Sequence, residues 1–223
     1  MLYKRNGEIM GERKYKLLKN DTTTSFKGET LYRIKALKDF GKVKKGEKGG
    51  YIESELNLSH YGTAWVGKEA QVWGTAGVSG HTLVTDRARV YGHAAIWGEA
   101  QVYENADVSG GAWVTGKSKV HGNAVLYGTT IVMDYAEVGG KAIVYENAII
   151  NGHAKVYDEA VVGGDTDVCS RARICGNAWV SLRGIVTTDI DCPIPKIELV
   201  SKKKLNSFIK DMNKYKVTNE LVK

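Results

Sequence analysis

From Ala64 to Val180 the chain repeats one six-residue phrase: a small residue, any residue, an aliphatic residue, any residue, often Gly, any residue. The small slot starts at Ala64, Ala70 and Ala76 and continues without a gap to Ala172 and Ala178. Two residues on, the aliphatic slot runs from Val66 and Val72 to Ile174 and Val180. A fixed short period means a solenoid, because each unit buries its apolar side against its neighbours in the stack rather than against a distant element. Inward and outward residues alternate within each phrase, which is strand periodicity and makes the class all-β. The fifth slot is most often Gly, as at Gly74, Gly80 and Gly92, and otherwise usually Asp or Glu. It falls where the chain turns between short strands, a position that often needs positive φ.

This phrasing resembles the hexapeptide-repeat family, whose fold is a left-handed parallel β-helix of triangular section with three hexads per coil. The resemblance implies the hand; periodicity alone does not. Twenty hexads then make roughly six to seven coils, a prism on the order of 30 Å long. Residues 14–66, from KYKLLKND through GGYIESELNLS into TAWV, resemble the leader of hexapeptide-repeat proteins of bacteriophages and prophages. That resemblance covers residues 14 to about 181 and implies a phage-encoded protein. The wider superfamily implies a parallel trimer and, as one possible activity, acyl transfer.

Three segments follow. Residues 1–50 form a basic β-hairpin cap, residues 51–181 the β-helix, and residues 182–223 an extended connector with a C-terminal amphipathic helix. In the first, Lys14 to Leu18 and Thr30 to Leu37 read as paired strands, followed by a loop dense in Gly and Lys, Phe40 to Gly50. Ile52 and Leu58 fall in the small-residue phase, so the first coil is expected to be irregular. In the last segment, Cys192–Pro193–Ile194–Pro195 is extended, and Leu205, Phe208, Ile209 and Met212 make one helical stripe. No apolar run reaches the length of a membrane span and no signal sequence is evident, which points to a cytoplasmic protein, here of an infected bacterial host. Cys169, Cys175 and Cys192 have no pairing motif and are expected as reduced thiols.

The net charge of +7 is uneven: residues 1–50 carry 14 Lys and Arg against 6 Asp and Glu, residues 51–181 carry 9 against 14, and residues 182–223 carry 9 against 5. Basic ends permit an anionic ligand. Arg offers forked phosphate contacts and an aromatic ring a stacking face, so the candidate ligand residues are Arg87, Arg89, Tyr91, Arg171 and Arg173, with Lys42, Lys44, Lys45 and Lys48 of the basic loop.

An 18-residue coil stacks residues 18 apart and sorts the outward side chains onto three faces. One carries Trp73, Val125, Tyr127, Ile143 and Tyr145; a second carries Trp97, Trp113, Ile131 and Met133; the third is polar and charge-mixed. Two apolar faces suit a homo-oligomer, a trimer first and a dimer second, and those nine residues are the expected interface. The five histidines, His60, His81, His93, His121 and His153, show no pairing that marks a general base, no extruded loop walls a pocket, and no metal or cofactor is expected. The resulting expectation is a non-enzymatic binding protein that counters host defence, by holding a defence protein or sequestering a signalling nucleotide; an acyltransferase or a structural assembly protein are the alternatives.

Overall fold

The computed structural model describes residues 2–5 and 8–190, and the connector and helix expected beyond lie outside the described residues. Strand β1 (Leu2–Arg5) pairs antiparallel with β2 (Glu8–Glu12), a hairpin absent from the expectation above, although Asn6–Gly7 is its sequence signal. Strands β3 (Tyr15–Thr24) and β4 (Thr30–Ala36) form the expected antiparallel hairpin. β4 pairs with β5 (Lys48–Ile52), which runs parallel to Gln71–Val72 and so starts the stack. From there each hexad supplies a short strand, and residue i pairs with residue i+18: Arg89 with Asp107, Ala95 with Trp113, Gln101 with Lys119. The result is an all-β parallel solenoid of about eight turns.

The inside is filled by the repeat itself. Every alanine of the small slot and every Val, Ile or Leu two residues on is buried. Three of the four hydroxyls in the small slot bond a carbonyl three residues back, Thr82 to Ser79 (3.0 Å), Ser118 to Thr115 (2.7 Å) and Thr166 to Gly163 (2.6 Å), which satisfies a polar group inside the core; the fourth, the buried Thr130 hydroxyl, has no partner among the described residues.

The corners explain why Asp and Glu replace Gly. Asp86, Glu104, Asp134, Glu146 and Asp158 all have φ near +60°, which costs a residue with a Cβ about 1–2 kcal/mol. Each carboxylate accepts the backbone N–H of the corner residue one coil up: Glu104, Gly122, Gly152, Gly164 and Gly176 respectively, at 2.7–3.1 Å. A bond of about 1–2 kcal/mol to a charged acceptor offsets the strain.

Two boundaries differ from the expectation. Ile52 pairs with Val72, and Leu58 bridges Val78, a step of twenty rather than eighteen. Both therefore occupy the aliphatic slot, and the two additional residues are taken up before Ala64. The size of Ile52 and Leu58, each fully buried, is what fixes this choice: they fill volume that the small slot lacks. At the other end the coil outlasts its sequence phase, since Trp179–Val186 pairs in register with Val161–Val168 and Ile190 bridges Ile174. The solenoid thus continues past residue 181 to the last described residue.

The N-terminal strands close the lower end. Tyr15 is buried, stacks on His60 (4.3 Å between ring centroids) and donates to the Leu58 carbonyl at 2.7 Å. Lys14 is only 1% exposed; its ammonium donates to the Ala64 carbonyl at 2.7 Å and lies 5.0 Å from the Phe40 ring centroid. Burial, helped by the charge of Lys38, pulls its pKa down to about 8.

Candidate ligand-binding groove

The β3–β4 hairpin does more than cap. Its tip folds over the first face, where Phe26 packs edge-on against Trp73 (5.4 Å) and Tyr91 (5.2 Å), themselves stacked at 4.5 Å. Trp73 is 1% exposed, so this expected interface residue is instead covered by its own chain. Tyr91 is equally lost as a free stacking face: burial, then the nearby Asp107 carboxylate, raises its pKa.

Beside the hairpin tip runs a groove of about 790 Å³, lined among others by Thr23, Phe26, Arg87, Arg89, Asn105 and Asn123. Register builds it: Arg87, Asn105 and Asn123 are 18 apart along one corner, while Arg89, Asp107 and Val125 form the adjoining rungs. Its charges are not equivalent. Arg89 is tied to Asp107 at 2.5 Å and lies over Phe26, 5.4 Å from its centroid. Glu69, also in the lining, is held by Arg33 at 3.0 Å. Arg87 is exposed and, among the described residues, has no carboxylate within 4 Å. Two of the candidate arginines therefore meet in one concavity, and only Arg87 presents an uncommitted charge there.

The other cations do not converge on it. Lys44 pairs with Asp39 (3.2 Å) and Lys48 with Asp21 (2.8 Å). Asp39 also accepts from the Lys45 backbone N–H at 2.8 Å, and that bond, then Lys44, lowers its pKa. The loop is a locked turn, with Lys42 and the Lys45 side chain exposed outside the groove. Arg171 is an exposed corner residue, whereas Arg173 sits on the third face, donating to the Tyr157 hydroxyl at 2.6 Å.

On the third face sequence reasoning missed a cluster. His121 stacks on Tyr103 (5.0 Å, 7° between planes) and its Nε2 lies 3.0 Å from Glu137, whose other oxygen meets Lys155 at 2.7 Å. The hydrogen bond from Lys155, then that of His121, holds the Glu137 carboxyl below the usual range. His121, read as a histidine without an identifiable partner, thus has several. The signal was its 16- and 18-residue spacing from Glu137 and Tyr103.

The remaining histidines are committed locally: His81 and His93 to Thr63 and Thr75 (2.9 and 2.6 Å), His153 stacked on Tyr135, His60 under the cap. Among the described residues Cys169 and Cys175 form no disulfide with each other, and the Cys175 thiol donates to the Ile190 carbonyl at 3.9 Å. Among the described residues no three His, Cys, Asp or Glu side chains group as a metal site, and no helix is long and apolar enough to cross a membrane.

Of the expected interface, Trp97 (46%), Trp113 (50%) and Tyr127 (44%) are the exposed members. Ile131, Met133, Ile143 and Tyr145 are half-buried, Tyr145 lying against Gly163, and Val125 is buried between its rungs. The second face stays the more open of the two: the Trp97–Trp113 strip adjoins a hollow of about 300 Å³ next to Leu56 and Tyr61. A scan against protein-family models finds none that matches this chain, and a search of the curated proteins returns no match.

Proposed function

We propose that this protein is a non-catalytic binding protein that holds an anionic, ring-bearing small molecule of nucleotide type in the groove under the β3–β4 hairpin. One observation carries the reading: Arg87 is an unpaired guanidinium at a concavity that also offers the Phe26 ring and the amides of Asn105 and Asn123. A phosphate takes forked bonds from Arg, a base takes a ring face, and amides take base edges. The bound molecule would leave unaltered, because the imidazoles are committed to neighbouring rungs and none lines this groove. The leader resemblance gives the setting, sequestration of a host signalling nucleotide in the cytoplasm of an infected bacterium; a defence protein seated on the same surface is the other occupant.

The same reading takes the coil as left-handed and the protein as a homo-oligomer, a parallel trimer before a dimer, joined through the second face. Exposed Trp97 and Trp113 support this, since an apolar strip of that size is rarely left bare. The test is native mass spectrometry of the whole protein with linear and cyclic nucleotides. Retention of an unmodified nucleotide at fixed stoichiometry, weakened about tenfold or more in Arg87→Ala, is the expected result. Retained coenzyme A, or binding indifferent to Arg87→Ala, would overturn the assignment.

A further inference from the structure

The third face carries a second hollow, of about 290 Å³, lined by His121, Glu137, Gly139, Lys155, Tyr157 and Arg173. Its origin is a break in a column. Residues 103, 121, 139 and 157 stack one coil apart, and three of the four are rings: Tyr103, His121 and Tyr157. The lower pair is in parallel contact. Gly139 contributes no ring, so at its level the column is one rung short. His121 leans toward that level: a Cβ built on Gly139 would lie 2.6 Å from the imidazole.

The dimensions suit a flat guest. His121 and Tyr157 spring from strands two coils apart, about 10 Å at the backbone, and a ring between two others needs two gaps of about 3.5 Å. The rim supplies polarity of both signs. Glu137 carries acceptor oxygens facing the hollow, able to take an N–H from the edge of a heterocycle. Lys155 and Arg173 bring an ammonium and a guanidinium group to the guest's other side, while Glu104, 3.8 Å from His121 Nδ1, adds a second carboxylate on the far side of the imidazole. A purely apolar ring would waste these groups, and a simple anion would leave the gap in the column unfilled.

We infer that this third-face hollow is a binding site for a planar nitrogen heterocycle bearing an anionic group, the heterocycle entering the aromatic column at the Gly139 level. It rests on none of the groove residues, so its success or failure is separate from that of the groove.

The experiment uses the full chain labelled at His and Tyr side chains, titrated by NMR with adenosine 5′-monophosphate, adenosine, and ribose 5-phosphate. The expected result is an upfield ring-current shift of the His121 and Tyr157 ring protons with the nucleotide. A weaker shift of the same sign is expected with adenosine, and none with ribose 5-phosphate. Gly139→Leu, which occupies the gap, and Tyr157→Leu, which removes one wall while keeping the strand, should each weaken binding about tenfold or more, the scale of one base–aromatic stack. Arg173→Gln should weaken the nucleotide and leave adenosine unchanged, and Arg87→Ala should leave the His121 shifts as they are. Equal response to ribose 5-phosphate and the nucleotide, or no movement of the His121 and Tyr157 resonances with any of the three, would overturn the proposal. So would shifts that persist in Tyr157→Leu.

Discussion

Lys14 offers a test of how the lower end of the solenoid is closed. In the body of the stack the carbonyl of a small-slot residue accepts an N–H from the coil beneath, as Ala88 does from Gln71. Ala64 sits in the lowest coil, and the Lys14 ammonium supplies the donor instead. The burial this demands has a cost that depends on pH. Because the folded pKa is near 8 and the unfolded value 10.5, the charged form is penalised only in the folded state. Stability is therefore lowest below pH 8 and rises as pH climbs from 8 toward 10.5, where the unfolded chain also loses its proton. Between pH 7 and 10 that linkage is worth about 2.5 kcal/mol.

Lys14→Met keeps the stem's volume and removes the titration. Near pH 7 relief of the desolvation cost and loss of the bond to Ala64, about 1–3 kcal/mol, should nearly offset, so the two proteins unfold at similar urea midpoints. By pH 10 the wild type should be ahead by about 2.5 kcal/mol. Urea unfolding of both at pH 7, 8, 9 and 10 measures the difference directly, and the tyrosines titrating in both cancel. Parallel profiles across that range would show that Lys14 is not buried as a cation and would refute the capping argument.

Other expectations follow from the same geometry. Glu104→Gly should cost less than Glu104→Ala, by about 1 kcal/mol, because only Gly takes φ near +59° freely; chemical denaturation ranks the two, and the reverse order would contradict the corner account. Phe26→Ala should expose Trp73 and Tyr91, giving a red-shifted tryptophan emission and a loss of about 2 kcal/mol with unchanged far-ultraviolet dichroism. Trp113→Glu should lower the mass seen by light scattering to that of one chain, with Ile143→Glu and Tyr145→Glu telling whether the first face also contributes; an unchanged mass in all three would remove the oligomer. Lys155→Ala should free the Glu137 pKa to rise. The stability lead of the wild type over this variant should then shrink as pH falls from 6 to 3, measurable in the same urea experiments.

The hexad made the interior legible residue by residue, because inside a solenoid each position meets only its counterparts one coil away. What it left out lay wherever local size or a distant segment overrode the period. Ile52 and Leu58 match the small-slot count, yet their volume moves them into the aliphatic slot. The strand Trp179–Val186 runs beyond the last full hexad and still pairs along its whole length, since backbone hydrogen bonding to Val161–Val168 needs only an extended chain. Trp73 is outward by phase and buried in fact, for nothing in the repeat says that Phe26, far earlier in the sequence, folds over it. The groove shares that origin: Arg87 and Arg89 were visible as cations, but the wall that makes them a site comes from the hairpin.

A solenoid with no extruded loop has one general means of making a concavity, which is to change a rung. Identical neighbours in a column stack flat and bind nothing; a covered rung, as at Trp73, or a short one, as at Gly139, gives the surface depth. Register then decides which chemistry surrounds the break, because the residues beside it come either from the same strand, two positions away, or from the adjoining coils, 16 to 18 positions away in sequence. Around Gly139 that spacing delivers His121 below, Tyr157 above and the Glu137–Lys155 pair alongside. The break and its surroundings cannot be varied independently: moving Gly139 by one hexad would carry it to another face, and moving it by one coil would set it between different rings. Transplanting the glycine to position 157 with tyrosine restored at 139 should therefore abolish the nucleotide-induced shift of His121 rather than relocate it, since the gap would then lie above the restored ring. A His121 shift that survives this exchange would mean that the rim charges alone, not the column, hold the guest.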